Sequence, residues 1–230
     1  MFLYSGARRW ATPRRRGQHN CPYFKGADVI EDSSRPHLFA QIVEDWKAHG
    51  RDWTRPGFQA VAVHRFGNWR MGIRQRPIRL PLSFLYRVLF TGVRNFYGIE
   101  LPYTARVGRR VVFEHQGGIV IHGFASLGDD CVVRQGVTLG NRTFEERFTA
   151  PQLGNRVNVG AGAKVLGRVS VGDDAQIGAN AVVLEDVPVG GVAVGIPARL
   201  VTKKAAEKIA SVKSASTNGG SVARTIVGPD

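Results

Sequence analysis

Aliphatic side chains recur at every sixth position through the second half of the chain. The stretch VNVGAGAKVLGRVSVGDDAQIGANAVVLEDV, residues 157–187, shows this spacing. The full series is Val107, Phe113, Ile121, Leu127, Val133, Leu139, Leu153, Val159, Val165, Val171, Ile177 and Val183. A period of six fits neither an α-helix nor an alternating strand, and it is typical of β-helix solenoids, whose stacked coils share one apolar core. We therefore predict a mainly β fold, a parallel β-helix of hexapeptide repeats.

The six-residue register is broken twice. The step from Phe113 to Ile121 is eight residues and contains EHQGG, and the step from Leu139 to Leu153 is fourteen residues. The second step is longer than the six-residue repeat by eight residues, which must leave the coil as a loop within NRTFEERFTAPQ. Solenoids carry insertions on the surface, often at the binding face, so we expect the chemistry at these two breaks.

The first half of the chain has a helical pattern over residues 36–97. Within it, GFQAVAVHRFGNWRMGI places Phe58, Val61, Phe66 and Trp69 on roughly one helix face. Terminal coils of a solenoid need a cap, which a small helical domain supplies. The predicted organisation is a flexible basic tail (1–28), an α-helical N-terminal domain (29–100), the β-helix (101–201) and a partly disordered C-terminal tail (202–230).

The chain is strongly basic, with a formal net charge of +14. Such a balance suggests an anionic partner, namely nucleic acid, a membrane surface or a phosphorylated cofactor. No nucleic-acid motif is present, so we expect no nucleic-acid partner and interpret most of the charge as a solvated surface. The apolar segment IRLPLSFLYRVLFTGV is interrupted by Arg87 and is too short to span a bilayer, and the first residues lack a signal-peptide pattern. We expect a cytoplasmic protein without a transmembrane segment.

The cysteines and histidines argue against a metal centre. Cys21 and Cys131 form no CxxC pair, and Cys131 falls inside a repeat as a small core residue. Some hexapeptide β-helices are zinc-type carbonic anhydrases, which need three His ligands. The repeat region offers only His115 and His122, so we predict no metal.

His115 is the candidate general base. It lies in the eight-residue step, next to Glu114 and fifteen residues after Glu100. One three-sided coil takes roughly eighteen residues, so Glu100 is expected about one coil away from His115. A carboxylate that holds an imidazole fixes its tautomer and raises its basicity. A purely structural hydrogen-bonding role is the alternative for His115, and His122 is interpreted as a structural residue or one that supports substrate binding.

Two long segments carry a family resemblance. GIVIHGFASLGDDCVVRQGVTLGNR and VGAGAKVLGRVSVGDDAQIGANAVVLEDVPVGGVAVGIPARLV, with FEHQGGIVI and the helical PGFQAVAVHRFGNW, resemble the serine O-acetyltransferases of the hexapeptide acyltransferase superfamily. The likeness covers about residues 40–203. It implies a left-handed β-helix, direct transfer of acetyl from acetyl-CoA to a hydroxyl without an acyl-enzyme, and a homotrimer or dimer of trimers.

The resemblance also implies residue roles. The catalytic base matches His115, and its dyad carboxylate, usually Asp, matches Glu100. The neighbouring acid that binds substrate matches Glu114, and Asp45 or Asp52 would replace the Asp that binds the acceptor. The coenzyme lies in the family along a groove between neighbouring β-helices, and the matching residues are Gly140, Ala161, Gly162, Ala179 and, near the phosphates, Arg199.

Two departures keep the acceptor open. The family commonly has an Arg-His pair in the loop before the later repeats, where this chain has Thr149 and Ala150. The C-terminal Ile that docks into cysteine synthase is absent, so that partner is not expected. The leading hypothesis is an acetyl-CoA-dependent O-acetyltransferase acting on L-serine or a similar small hydroxyl compound. The alternatives are an O-acetyltransferase for a sugar or surface-polysaccharide precursor, and a non-catalytic β-helix binding scaffold.

Overall fold

The computed structural model describes residues 37–201. The predicted tails at 1–28 and 202–230 lie outside the described residues, as do the first residues of the predicted helical domain, 29–36.

Three helices precede the strands, within the residues 36–97 that have a helical pattern in the sequence. They are α1 (Leu38–Ala48), α2 (Pro56–Met71) and α3 (Arg76–Gly92), and α3 continues into a π-helical turn, Val93–Tyr97. Proline stands in the first turn of α2 and of α3, where its missing N–H costs no intrahelical hydrogen bond. Gly98 ends the helical part in the left-handed conformation, with φ 64°. None of the helices between residues 37 and 201 combines the length and the apolar character needed to cross a membrane.

The strands form three faces of a solenoid. Face A contains β1 (Ile99–Glu100), β4 (Ile119–Ile121), β7 (Thr138–Gly140), β10 (Lys164–Leu166) and β13 (Val182–Val183). Face B contains β2 (Arg106–Val107), β5 (Ser126–Leu127), β8 (Gln152–Leu153) and β11 (Ser170–Val171). Face C contains β3 (Val112–Glu114), β6 (Val132–Arg134), β9 (Asn158–Val159), β12 (Gln176–Ile177), β14 (Val192–Gly195) and the antiparallel β15 (Ala198–Val201). Because successive strands visit the three faces in turn and pair in parallel, the predicted β-helix of hexapeptide repeats is confirmed.

Three edges join these faces and are named by them. Edge AB comprises residues 101–105, 122–125, 141–151, 167–169 and 184–186. Edge BC comprises residues 108–111, 128–131, 154–157, 172–175 and 188–191. Edge CA comprises residues 115–118, 135–137, 160–163 and 178–181. The first strand begins at Ile99, two residues before the predicted start of the β-helix at 101.

The hexapeptide residues point into the solenoid. Their strands stack in register, so that Phe113 lies beside Val133, and Val133 lies beside Val159. Every member of the series is buried except Val107, which packs partly buried against the core. Cys131 also points inward and is fully buried, as predicted, and burial raises the pKa of its thiol to about 11.

Helix α2 contacts the solenoid through a different face from the predicted one. Val61 is buried, but Trp69 is 46% exposed, and Phe58 and Phe66 are only partly buried. The buried residues are Gly57, Ala60, Val61, His64, Arg65, Gly67 and Arg70. The predicted apolar face is therefore wrong in part, because this close contact selects small residues and polar residues with hydrogen-bond partners rather than large apolar ones.

Arg65 joins the helices to the first coil. Its guanidinium donates hydrogen bonds to the carbonyl oxygens of Val107 and Gly108, at 2.7 and 2.5 Å. It also donates to the two carboxylate oxygens of Asp45 in α1, at 2.9 and 3.4 Å. A buried charge is tolerated only when it is paired in this way. The ion pair therefore sets the position of α1 and α2 on the solenoid.

Candidate functional site

The first register break is a widened corner at edge CA. In the later coils Gly136 stacks on Gly162, and in the first coil Gly118 stacks on Gly136. Two extra residues separate Glu114 from Gly118, compared with the corner that follows Arg134 in the next coil. The eight-residue step is thus an expanded corner that carries His115, at one of the two positions where we expected chemistry.

His115 has a backbone conformation that is unusual for a residue with a side chain. Its φ is 65°, and its side chain is exposed at the corner. Histidine is among the residues enriched in the left-handed region, although that region still strains the backbone. Gly117 and Gly118 follow with φ of 99° and 67°. The corner therefore turns the imidazole outward, away from the apolar core.

The strand before this corner is held by the helical domain. The Phe113 N–H donates to His49 Nε2 at 3.3 Å, and His49 Nδ1 donates to the Asp45 carbonyl oxygen at 2.7 Å. Burial lowers the pKa of His49, which suits a neutral ring that donates on one side and accepts on the other. A Cβ atom on Gly57 would lie 1.9 Å from the Phe113 carbonyl oxygen. His49 and Gly57 could not be identified from the sequence, since nothing local marks contacts with a strand more than fifty residues away.

Glu114 is oriented by an ion pair across face C. Its carboxylate lies 2.9 Å from Arg134 Nε, and the Arg134 guanidinium also donates to Asn158 Oδ1. Both charged side chains are about a third exposed, at 39% and 33%. The predicted substrate-binding carboxylate therefore lies next to His115 in the chain, with one cationic neighbour and access to solvent.

Glu100 lies on face A, in the strand that opens the first coil, and the His115 corner closes that coil. Its strand pairs with β4, so that Glu100 lies beside Val120. Within residues 37–201, no hydrogen bond or ion pair joins Glu100 to His115. Catalytic hydrogen bonds are often long in a ligand-free enzyme and tighten when substrate binds. The dyad of Glu100 and His115 stays a prediction.

Asp45 requires a correction. We predicted that it binds the acceptor, but its side chain is only 1% exposed and both carboxylate oxygens accept from Arg65. A carboxylate that is buried and already paired has no capacity for a substrate. Asp52, the other candidate, lies exposed between α1 and α2, where Thr54 donates to its carboxylate from both N and Oγ1.

The predicted coenzyme-binding residues divide between two edges. Ala161, Gly162 and Ala179 lie on edge CA, in the coils that follow the His115 corner. The Gly162 N–H donates to Gln135 O, and the Asn180 N–H donates to Ala161 O, so these corners stack in a column. Gly140, by contrast, ends a strand where face A meets edge AB. The described single chain therefore does not bring all of these residues into one groove.

His122 and the insertion loop lie on edge AB. The Phe124 N–H donates to His122 Nδ1 at 3.3 Å, and the two rings lie 5.7 Å apart. Phe148, from the loop, contacts Phe124 edge to face at 5.6 Å. Thr149 turns back to hydrogen-bond the Glu146 carbonyl oxygen, and Ala150 is buried. The loop thus presents aromatic side chains beside His122.

Arg199 lies near the same edge, at the far end of the solenoid. Together with Arg142 from the loop and Glu185, it lines a hollow there. Two guanidinium groups in one hollow can bind a phosphate, but they lie at the opposite end of the β-helix from the helical domain.

The described residues contain no cluster of three or more His, Cys, Asp and Glu side chains that could hold a metal ion. His115 and His122 lie on different edges. The prediction of a metal-free protein stays a prediction.

The chain resembles known transferases in sequence. The profile "Bacterial transferase hexapeptide (six repeats)" matches residues 150–185. The chain is 48% identical over 148 residues to a serine acetyltransferase of Helicobacter pylori, a match that covers 64% of this chain and 82% of the relative. It is 42% identical over 146 residues to a serine acetyltransferase of Synechococcus elongatus. That match covers 64% of this chain but only 57% of the longer relative.

Solved structures agree with these relatives. The structure titled "Soybean Serine Acetyltransferase Complexed with Serine" is 34% identical and has a TM-score of 0.61, with 74% of this chain and 71% of that chain covered. A serine acetyltransferase of Brucella abortus in complex with coenzyme A is 26% identical, with a TM-score of 0.59 over 71% of this chain and 66% of that one. With most of the Helicobacter relative covered at 48% identity, the chain belongs to the serine acetyltransferase family of hexapeptide-repeat proteins.

Proposed function

We propose that the chain is an acetyl-CoA-dependent O-acetyltransferase that acts on L-serine or a similar small hydroxyl compound, with His115 as general base. The observation that carries this proposal is the widened corner at edge CA, where a strained, outward-facing imidazole follows a carboxylate. Strained backbone is retained where the surrounding structure and the function require it.

The chemistry follows from the position of these groups. In the proposed transfer, the hydroxyl oxygen of the acceptor would bond to the thioester carbonyl carbon of acetyl-CoA, and the carbon–sulfur bond would break. The coenzyme would leave as a thiol that takes up the proton removed from the hydroxyl. His115 would accept the proton of the acceptor hydroxyl, since histidine is the side chain most often used as a general base and this ring is exposed. Glu100 would stabilise the resulting imidazolium once substrate closes the dyad. Glu114, held by Arg134, would bind a cationic group of the acceptor such as the ammonium of serine.

The residues of edge CA fit a narrow ligand arm. Ala161 and Ala179 place only methyl groups on this edge, so a chain-like ligand could approach the backbone there. The space beside Gly162 is taken by Asn180, whose Oδ1 would lie 2.0 Å from a Cβ atom on Gly162. A Cβ atom on Gly140 would meet only Thr138 and Leu166 side-chain atoms, at 3.4 and 3.7 Å, so this strand end also leaves room. Arg199 is suited to a phosphate of the coenzyme.

The division of these residues between two edges supports a site at a subunit boundary. We propose that edge CA of one copy faces edge AB of the next in a homotrimer or a dimer of trimers, which would combine His115 with the loop and Gly140 of a neighbour. Rings of this kind use heterologous interfaces, in which two different surfaces meet. The cytoplasm is the proposed location, and docking to cysteine synthase is not proposed.

A sugar or surface-polysaccharide precursor is the second candidate acceptor. Thr149 and Ala150 stand in place of the Arg-His pair that the family resemblance leads one to expect, and Phe144 and Phe148 of the loop are 76% and 67% exposed. Exposed aromatic rings suit a larger, partly apolar acceptor.

The test measures thiol release from acetyl-CoA by the full chain, with L-serine and a panel of sugars. His115→Asn is the key variant, because Asn also tolerates a left-handed backbone. We expect it to lower kcat about 100- to 10,000-fold, the usual contribution of a general base. Arg110→Asn is the matched control, since Arg110 is a non-glycine residue with φ 54° at the previous corner of the same coil.

The outcomes separate the hypotheses. Full turnover by His115→Asn would refute the general base. Turnover with a sugar but not with serine would select the second acceptor class. Coenzyme binding without turnover of any acceptor would favour the non-catalytic scaffold.

A further inference from the structure

The apolar side of helix α3 faces solvent rather than the rest of the protein. A surface helix of a globular protein normally packs its apolar stripe against the core. In α3 only Tyr86 is buried. Arg70 of α2 donates to Ser83 Oγ at 2.7 Å and lies 4.3 Å above the Tyr86 ring, which also meets the Tyr103 ring edge to face at 5.5 Å. The inward contacts of α3 therefore use serine and tyrosine rather than its leucine, isoleucine and valine side chains.

The outward side of α3 is apolar over most of its length. Leu80, Phe84 and Val88 follow at intervals of four residues and are 68%, 71% and 52% exposed. Ile78, Leu85 and Leu89 form a second row beside them and are 49%, 45% and 40% exposed. A contiguous apolar surface of this kind marks an interaction site. We call these six residues the α3 apolar face.

Positive charge flanks this face. Arg76 and Arg87 lie close to the Leu80 row on the helix wheel, and both are exposed. Residues 53–99 contain eight arginines and no lysine, aspartate or glutamate. A second copy of this chain would therefore bring like charges together across a symmetric contact on this face.

We propose that the α3 apolar face docks the protein onto an anionic lipid membrane, with α3 lying in the plane of the surface. Helices that lie in the membrane interface combine a broad apolar face with arginine or lysine beside it. The anionic headgroups supply the charge that complements the arginines, and the acyl chains cover the leucine and phenylalanine side chains. None of the six residues of the α3 apolar face is assigned to the acetyl-transfer site, so the proposal does not depend on the acetyl transfer.

The experiment is co-flotation of the full chain with vesicles of phosphatidylcholine alone and of phosphatidylcholine mixed with phosphatidylglycerol. The wild type should float with the anionic vesicles and bind the neutral ones much less. Phe84→Glu and Leu80→Glu should each lower the partition coefficient at least about tenfold, since burial of one large apolar side chain accounts for such a factor. Arg87→Gln should lower it about fivefold, and raised salt should lower it further.

Val189→Glu is the matched control, because it places the same charge on an apolar side chain that is 74% exposed on edge BC of the solenoid. It should bind vesicles as the wild type does. Circular dichroism and thermal unfolding of each variant establish that the fold is retained, and Leu80→Glu provides a second variant if Phe84→Glu fails to fold.

Three results would overturn the proposal. The first is binding that survives both glutamate variants, which would place it elsewhere on this basic chain. The second is equal binding to neutral and anionic vesicles. The third is no vesicle binding, together with a smaller assembly for Phe84→Glu in light scattering, which would make the face a contact between copies.

Discussion

Non-glycine residues with a left-handed backbone mark two kinds of corner in this solenoid. On edge BC, Arg110 and Asp130 stack and pair with each other through two hydrogen bonds of 2.6 Å. The side chains of these left-handed residues therefore join one coil to the next. His115 has the same backbone but stands in an expanded corner, and its ring has no hydrogen-bond partner within residues 37–201. An unpaired, exposed imidazole on a strained corner is the arrangement expected of a functional group.

Glu114 is predicted to bind the acceptor rather than to stabilise the fold. Glu114→Gln should raise KM for L-serine about tenfold, because it removes one charge-assisted hydrogen bond to the substrate. The free energy of unfolding should change by no more than about 1 kcal/mol, since the ion pair with Arg134 is partly exposed. Steady-state kinetics and urea unfolding measure the two quantities.

Asp130→Asn is the matched control for Glu114→Gln. It removes a carboxylate from a similarly exposed ion pair, with Arg110, on an edge that we do not assign to the site. KM should be unchanged in this variant. An unchanged KM in Glu114→Gln, or an equal rise in both variants, would contradict the assigned role.

At the scale of elements, α2 makes the attachment of the helical domain sensitive to pH. His64 is 1% exposed, and its Nε2 donates to the Ala105 carbonyl oxygen at 3.0 Å. Burial lowers the pKa of His64 from 6.5 to about 4. The unfolded chain therefore binds more protons between these values, so the stabilisation is complete above about pH 6.5 and is lost as the pH falls toward 4. This lowering of the pKa corresponds to roughly 3 kcal/mol in the free energy of unfolding.

His64→Gln should flatten this pH dependence, because glutamine keeps an N–H donor for Ala105 and does not titrate. Urea unfolding between pH 7.5 and pH 4 measures the change, and the wild type should lose more stability on acidification than the variant. His122→Gln, on a side chain that is only partly buried, is the control. A slope that falls equally in both variants would contradict the assignment.

The repeated features of the fold could be predicted from the sequence, whereas contacts between residues far apart in the chain could not. The hexapeptide register predicted the β-helix and the inward position of Cys131, since each coil repeats the same local requirement. It also located the His115 corner, because an insertion shifts the register. The buried role of Asp45 escaped prediction, because its partner Arg65 is twenty residues away and a helix pattern does not show which side faces a later strand. The chosen face of α2 was wrong in part for the same reason.

At the scale of the whole molecule, the two edges predict that a complete site needs two copies of the chain. His115→Asn alters edge CA, and Gly140→Val alters the end of a strand at edge AB. If each site combines edge CA of one copy with edge AB of the next, an equal mixture of the two inactive variants should recover about a quarter of wild-type activity once subunits exchange, because a quarter of the boundaries then join two unaltered edges. The measurement is thiol release after the variants are mixed, unfolded and refolded together.

The control is a chain that carries both substitutions, mixed with His115→Asn. This mixture should recover no activity, because no unaltered edge CA is present. Persistent inactivity of the first mixture, with assemblies of wild-type size, would mean that the site lies within one copy and that Gly140 and His115 act in the same chain.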